Sequence, residues 1–254
     1  MLTQELVTDV SPLIADIGYR YYFAPETEAV AKELGLDLFS FYFLGRGGVL
    51  GDVEAPVVAA AFGYFNPDVI SMMWNDARSK LAPRDAARRH LGCCADFGRR
   101  HLGGVDGLEA FCAAAEAVHG AAQRRVAALA LYAGMAAEPI PEDLPARAMH
   151  LVAMLREHRG SVHLVAVVAA GLDPAVAHYL RRPDDWRLFG WRAEQVPTVT
   201  DIDRRRLAEV DATTDTLVAP AYAVLDDAGR RALSEGVHAV GAVLGEGARL
   251  PRPG

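Results

Sequence analysis

The chain contains little cysteine, little lysine and no long uninterrupted apolar run. Its 254 residues include only three cysteines, and two of these, Cys93 and Cys94, are adjacent. This excludes a disulfide framework and predicts free thiols in a reducing compartment. No stretch of about 18 uncharged apolar residues occurs, and the N-terminus lacks the basic-then-apolar pattern of a secretory signal. These absences predict a cytoplasmic protein with no membrane partner.

Positive charge is also scarce. Lys and Arg total 26 against 33 Asp and Glu, which gives a net charge of −7. An acidic chain argues against a nonspecific nucleic-acid binder. Lys32 and Lys80 are the only lysines, and the bias towards Arg, Ala and Gly is typical of a GC-rich genome.

Helical patterning dominates the rest of the sequence. Apolar residues recur at helical spacing and strand signals are few, so the sequence predicts a mainly α fold. Two segments depart from this pattern. Aromatic-rich Leu38 to Leu44 has the composition of a strand, and glycine-rich Gly45 to Pro56 is typical of a turn or loop. Two long helices, Asp203 to Val218 and Pro220 to Leu244, are expected to close the chain.

The segment Glu138 to Pro145, EPIPEDLP, has the composition of a linker. It predicts a boundary between a helical N-terminal region, residues 1–140, and a helical C-terminal region, residues 141–254. The alternative is that both regions form one compact unit.

Charge is concentrated in one stretch, LREHRGSVH, between two apolar segments. Gly160 suits the end of one helix and Ser161 suits the N-cap of another. The free N–H groups of such a helix start, beside Arg156 and Arg159, would form a site for an anion or a carboxylate. Glu157 would hold an arginine or orient a histidine.

Arg46 is a second candidate for contacting a ligand carboxylate or phosphate, because its glycine neighbours allow the backbone to approach closely. Those glycines fit neither a P-loop nor a dinucleotide-binding pattern. Arg46 equally fits a buried ion-pair network with Arg156 and Glu157, in which the charges satisfy one another without a ligand.

The remaining candidates are aromatic and histidine side chains. Three aromatic side chains either line a ligand cavity or belong to the core: Tyr42, Tyr64 and Phe65. His158 and His163 are candidate catalytic acids or bases, since histidine titrates near neutrality. Together with Glu157 they match no standard zinc spacing, so no metal site is predicted, and no cofactor is identified.

Five blocks of sequence occur in a fixed order: YYFAPE (Tyr21 to Glu26), YFLGRGGVLG (Tyr42 to Gly51), FGYFNP (Phe62 to Pro67), LREHRGSVH (Leu155 to His163) and TTDTLVAPAYAVL (Thr213 to Leu225). In these blocks the chain resembles a family of uncharacterised actinobacterial helix-turn-helix-like proteins. The resemblance covers most of the chain. It implies a multi-helix N-terminal region followed by a degenerate winged-helix-like C-terminal region with long terminal helices.

The chain departs from that family after Phe189-Gly190-Trp191. Where the family continues into a helix and a turn, the segment WRAEQVPTVTDIDRRR is shorter and contains Pro197. The element equivalent to a recognition helix is therefore expected to be reduced, which argues against DNA binding.

The sequence favours an intracellular small-molecule-binding protein with an aromatic-lined pocket and arginine and histidine anchors. Its ligand is expected to be anionic or to bear a carboxylate. Whether the protein also catalyses a reaction of specialised metabolism is left open. The alternative is a winged-helix-type transcriptional regulator that binds DNA as a homodimer. A third class is a partner-binding protein with no small ligand.

Overall fold

The computed structural model describes residues 1–245, and α-helices account for most of them. No strand occurs in this part of the chain, so the prediction of a mainly α fold is confirmed. The predicted C-terminal region runs to residue 254, and its residues 246–254 lie outside the described part. The helices in order are α1 (Thr3–Ile17), α2 (Pro25–Glu33), α3 (Leu38–Gly47), α4 (Ala55–Phe62), α5 (Pro67–Arg78), α6 (Pro83–Leu102), α7 (Leu108–Gln123), α8 (Ala130–Met135), α9 (Leu144–Ala169), α10 (Pro174–Arg181), α11 (Asp201–Tyr222) and α12 (Asp227–Leu244).

Short polar side chains specify several helix starts. The side chains of Asn66, Asp143 and Asp173 each accept a hydrogen bond from a backbone N–H in the first turn, at 3.0, 3.2 and 2.7 Å. Each of these caps is followed by a proline within the first two helical positions: Pro67, Pro145 and Pro174. Both features favour helix initiation, because the cap satisfies a free N–H and proline needs none.

Helix α9 is the central element of the fold. It runs for 26 residues and packs against α1, α6, α7, α8, α10 and α11. From Ala146 to Leu155 every residue except Arg147 is buried. A helix that is apolar on all sides is stable only when it is enclosed by other helices. A charged segment begins at Arg156, where one face of α9 leaves the core.

The main hydrophobic core draws its largest side chains from most of the chain. Trp74, Phe43 and Phe111 are fully buried in it, as is Tyr222 near the end of α11. A smaller cluster joins the end of α9 to α10 and α11, and consists of Ala166, Val167, Leu172, Ala177 and Val210. Residues on both sides of Ile140 share the main core, and the division at that position stays a prediction.

The predicted strand at Leu38 to Leu44 is wrong, because these residues form α3. The five residues from Ser40 to Leu44 are all buried, so the sequence shows no apolar–polar alternation at helical spacing. Without that pattern, the aromatic composition indicated a strand. The predicted loop is also shorter than expected. Gly45 to Gly47 complete α3, and Gly48–Leu50 forms a 3₁₀ turn.

The predicted helix break at Gly160 and Ser161 is also wrong. Helix α9 continues through both residues to Ala169, so no helix begins at Ser161 and no backbone anion site exists there. A glycine inside a helix costs only about 1 kcal/mol relative to alanine, and packing against neighbouring helices outweighs this. Similarly, α11 continues past Pro220 to Tyr222.

Candidate functional site

A cavity of about 300 Å³ lies where α9 leaves the core. One wall comes from α3, α4 and the turn that follows α1. The opposite wall comes from α9, α10 and the segment around Phe189, with a contribution from α11. This volume is at the lower end of the range for small-molecule pockets, about 300–1,000 Å³.

The continuous path of α9 decides which charged residues reach the cavity. Its cavity face includes residues at helical spacing: Arg156, Glu157, Gly160, His163 and Leu164. His158 follows Arg156 by two residues, which places it about 200° round the helix axis. Its ring packs against Tyr132 instead, with centroids 4.9 Å apart, and burial lowers its pKa to about 4.

Arg46 and Glu157 form a buried ion pair at the floor of the cavity. Arg46 donates through Nε and Nη2 to the two carboxylate oxygens of Glu157, both at 2.9 Å. Its Nη1 donates to the Tyr42 hydroxyl at 3.0 Å, and its guanidinium lies 4.4 Å from the centre of the Phe62 ring. Burial alone would raise the pKa of Glu157, but the Arg46 charge and hydrogen bonds hold it below its ordinary value. Part of the predicted network therefore exists.

Arg156 is not part of that pair. Its Nη1 donates to the Tyr22 hydroxyl at 3.1 Å, and its guanidinium lies over the rings of Tyr22 and Tyr19, at 5.2 and 5.8 Å from their centres. No carboxylate within residues 1–245 lies within 4.0 Å of it. The aliphatic part of Arg156 packs so closely on Gly18 that a Cβ there would lie 2.7 Å from Cδ.

The other arginines around the cavity are paired or exposed. Arg159 forms an ion pair with Asp215 at 2.7 Å, and Arg181 forms one with Asp211 at 2.7 Å. Arg182 is exposed to solvent. The lining therefore holds five arginines and only two carboxylates, those of Glu157 and Asp211. This part of an acidic protein is positively charged, which favours an anionic ligand.

Aromatic side chains form the apolar part of the lining. Phe65 stacks on Phe189 with centroids 4.0 Å apart, and Phe62 and Tyr42 extend this surface towards Arg46. The segment around Phe189 is irregular, but hydrogen bonds hold it to the FGYFNP block. The Asn66 backbone N–H donates to the Phe189 carbonyl at 2.9 Å, and the Asn66 side chain to the Gly190 carbonyl at 3.0 Å.

Gly63 sets the direction of the chain beside the cavity. Its φ of 74° and ψ of −42°, with a hydrogen bond from the Tyr64 N–H to the Phe62 carbonyl at 2.9 Å, form a γ-turn. This conformation is strained for any residue with a Cβ. A Cβ at Gly63 would also lie 2.5 Å from Leu164 Cδ1. The turn ends α4 and brings Tyr64 to the cavity.

Three polar side chains lie together further along the lining. The ring centre of Tyr64 is 6.4 Å from that of His163 and 6.5 Å from that of His178. Within the described residues, the Tyr64 hydroxyl and His178 Nε2 are buried without a hydrogen-bond partner. Burial lowers the pKa of both histidines to about 4, so both rings are neutral at pH 7.

The structure places all seven sequence-predicted ligand residues on this one cavity: Tyr42, Arg46, Tyr64, Phe65, Arg156, Glu157 and Arg159. Of the two candidate catalytic histidines, His163 also lines the cavity and His158 does not. Sequence reasoning missed other lining residues, chiefly Tyr19, Tyr22, His178 and Phe189. Tyr22 belongs to the YYFAPE block and Phe189 to the FGW segment, so both lay in stretches that the sequence had singled out.

The end of α9 and α10 form a bent helix pair. The chain turns by 114° between them, across four residues that include Gly171 at φ 65°. Two helices at about 90–120° with a short glycine-containing turn have the geometry of a helix-turn-helix unit. No single helix within residues 1–245 is long and apolar enough to cross a membrane. Helices α9 and α10 reach that level only when they are taken together.

No group of three His, Cys, Asp or Glu side chains in residues 1–245 is placed to hold a metal ion. All three cysteines are buried and unbridged, and burial raises the pKa of the Cys93 thiol to about 11.

Comparison with known proteins shows a family for this chain. No curated protein and no solved structure resembles the chain closely enough to be matched. The model of a helix-turn-helix family matches residues 7–195. This range contains the first four of the five sequence blocks and the α9–α10 pair, and excludes the fifth block. The chain belongs to this helix-turn-helix family.

Proposed function

We propose that this protein binds a small anionic molecule in the cavity, with Arg156 as the anchor for a carboxylate. The observation that carries the proposal is the state of the cavity arginines. Arg46, Arg159 and Arg181 each pair with a carboxylate, whereas the Arg156 guanidinium has no carboxylate partner within residues 1–245 and contacts the Tyr22 hydroxyl and two aromatic rings.

The contacts of Arg156 leave most of its hydrogen-bonding capacity unused. A guanidinium has five N–H donors. Within residues 1–245, Arg156 donates one side-chain hydrogen bond, to the Tyr22 hydroxyl. The two tyrosine rings and the hydrogen bond to Tyr22 restrain the guanidinium, and a restrained guanidinium favours bidentate contact with a carboxylate. The aromatic lining beside it would bury the apolar part of the ligand.

Isothermal titration with matched probes tests this proposal. Phenylpropanoate carries a carboxylate, and phenylpropanamide has nearly the same shape without the charge. We expect the acid to bind the wild-type protein more tightly than the amide. Arg156→Gln should weaken binding of the acid by roughly 10- to 100-fold, since hydrogen bonds to charged groups contribute about 1.5–3 kcal/mol.

Arg88→Gln is the matched control. Arg88 is exposed on α6 and pairs with Asp85 one helical turn away, and no residue of α6 lines the cavity. This variant should bind the acid as the wild-type protein does. Equal affinities for acid and amide, or no binding of any phenylalkanoate, would refute the proposed carboxylate site. Native mass spectrometry of the purified protein, compared with its denatured mass, would show whether a metabolite is retained.

A DNA-binding regulator is the second candidate. The family match and the α9–α10 geometry favour it, and Arg204 and Arg205 at the start of α11 are exposed. However, Ala177 and His178 of α10 are buried against the cavity, and the net charge is −7.

Fluorescence anisotropy with a labelled DNA duplex would test the regulator. A regulator should bind DNA with an affinity that falls steeply with added salt. Reversing the charges of Arg204 and Arg205 should abolish this binding, while reversing Arg88 should not. Absence of binding at low salt would exclude this candidate.

A further inference from the structure

The cavity has a second polar region, formed by Tyr64, His163 and His178, that the anion-binding proposal does not use. His163 follows Arg156 by seven residues on α9. Seven residues are nearly two helical turns, so the two lie on one face with Cα atoms about 10 Å apart along the axis. The lining therefore holds Arg156 at one end and the three uncharged side chains at the other, where Arg159 and Arg181 are paired with Asp215 and Asp211.

Hydrogen bonding fixes the state of His163. The Thr214 hydroxyl donates to the Val210 carbonyl at 2.7 Å, so its oxygen accepts the bond from His163 Nδ1, at 3.0 Å. The proton of this neutral ring is therefore on Nδ1, and Nε2 carries a free lone pair. Thr214 is fully buried, which holds the ring in this orientation.

His178 supplies a second buried ring nitrogen. Its Nε2 has no hydrogen-bond partner within residues 1–245. The His178 ring, the His163 ring and the Tyr64 hydroxyl therefore belong to the same part of the cavity lining.

Unpaired polar atoms in buried positions destabilise a protein, and native structures contain few of them. Here two occur in neighbouring side chains, Tyr64 and His178, that line one cavity. We infer that Tyr64, His163 and His178 recognise a hydroxyl or N–H group of the ligand, so that the ligand is an elongated anion with a hydrogen-bond donor at the end remote from its carboxylate. This inference rests on the proposed function and specifies its ligand class.

Titration with pairs of probes tests the inference. The probes are phenylalkanoates with two to four methylene groups between ring and carboxylate, each with a hydroxyl or a methoxy group at the para position. A methoxy group keeps the oxygen but removes the donor. At the chain length that binds best, the phenol should bind on the order of tenfold more tightly than its methyl ether. The ether forms about one hydrogen bond fewer and leaves acceptors of the protein unpaired.

The Tyr64→Phe variant separates ligand recognition from a structural role. It should remove much of the preference for the phenol over the ether. Its melting temperature without ligand should be unchanged or higher, because the lost hydroxyl has no partner. Tyr179→Phe is the control, since Tyr179 follows His178 on α10 but contacts Trp186 and does not line the cavity. It should keep the preference.

The outcomes distinguish the two proposals. If phenols and ethers bind equally tightly and both require Arg156, the donor inference is overturned and the anion site stands. If Tyr64→Phe melts several degrees lower, its hydroxyl is structural and the inference is overturned. If no phenylalkanoate binds, the proposed function fails, and the inference fails with it.

Discussion

Replacing Arg46 with methionine should destabilise the protein mainly by leaving the Glu157 carboxylate without its partner. The carboxylate side chain is 3% exposed, and both of its oxygens accept hydrogen bonds from Arg46. Removing one member of a buried ion pair costs about 3–5 kcal/mol, because the other charge stays buried. Arg156 also lowers the pKa of Glu157 and remains in the variant, so we expect a cost near the lower limit.

A cost of about 3 kcal/mol is large enough to measure by thermal unfolding. In proteins of about 150–250 residues, 1 kcal/mol shifts Tm by about 2–4 °C, so the variant should melt about 6–12 °C below the wild type. The exposed pair Arg88–Asp85 is the control. Its atoms are as close, at 2.6 Å, but exposed pairs contribute about 0–1 kcal/mol.

The pH dependence of this cost identifies its cause. Without Arg46, burial raises the pKa of Glu157 above its unfolded value, so protonation stabilises the folded variant. The difference in unfolding free energy between wild type and Arg46→Met should therefore shrink as the pH falls from 7 towards 5. The double variant Arg46→Met, Glu157→Met should lose less stability than the two single variants added together. A cost that is independent of pH and additive would show that the charges do not interact in this way.

Three further predictions concern the fold. Burial lowers the pKa of five histidines from the ordinary value of 6.5. The pKa falls to about 3 for His90 and to about 4 for His150, His158, His163 and His178. Above pH 6.5 these rings are neutral in both the folded and the unfolded state, and their contribution to stability is complete; it is lost as the pH falls towards 4. Urea titrations should therefore show a steep fall in the free energy of unfolding over that range. A constant free energy of unfolding from pH 7 to 5 would contradict the burial of these rings. Gly160→Ala should raise the free energy of unfolding by about 0.5–1 kcal/mol, because the site is helical with open space around the new methyl group. A lower free energy of unfolding in this variant would contradict the continuous α9. Gly63→Ala should instead cost about 1–3 kcal/mol at its positive φ, and a neutral result in the same assay would contradict the γ-turn.

The fold class could be predicted from the sequence because helical spacing and capping residues are local signals. Asp143 and Asp173 cap α9 and α10 through atoms two or three residues away. The failure at α3 has one cause, which is burial on every side. Residues 40–44 of α3 contact protein all round, and so their pattern does not reveal the helical period.

Pairing between distant residues could not be predicted in the same way. Arg46 and Glu157 are 111 residues apart in the chain, and their pairing rather than that of Arg156 and Glu157 depends on the tertiary arrangement that brings Arg46 of α3 to Glu157 of α9. The sequence indicated which residues belong to the polar cluster. Only the structure distinguishes the arginine that neutralises the buried glutamate from the one that has no carboxylate partner within residues 1–245.

The distinction between His158 and His163 was within reach of the sequence, had α9 been recognised as continuous. At 100° per residue, His163 returns to within about 20° of Arg156, whereas His158 lies on the opposite side of the helix. The glycine and serine at 160 and 161 suggested a break, and a break would have removed any fixed angular relation between the two halves. Because the helix is unbroken, the charged segment LREHRGSVH is one continuous stretch of helix about two and a half turns long. One of its histidines lines the cavity and the other packs against Tyr132 in the core.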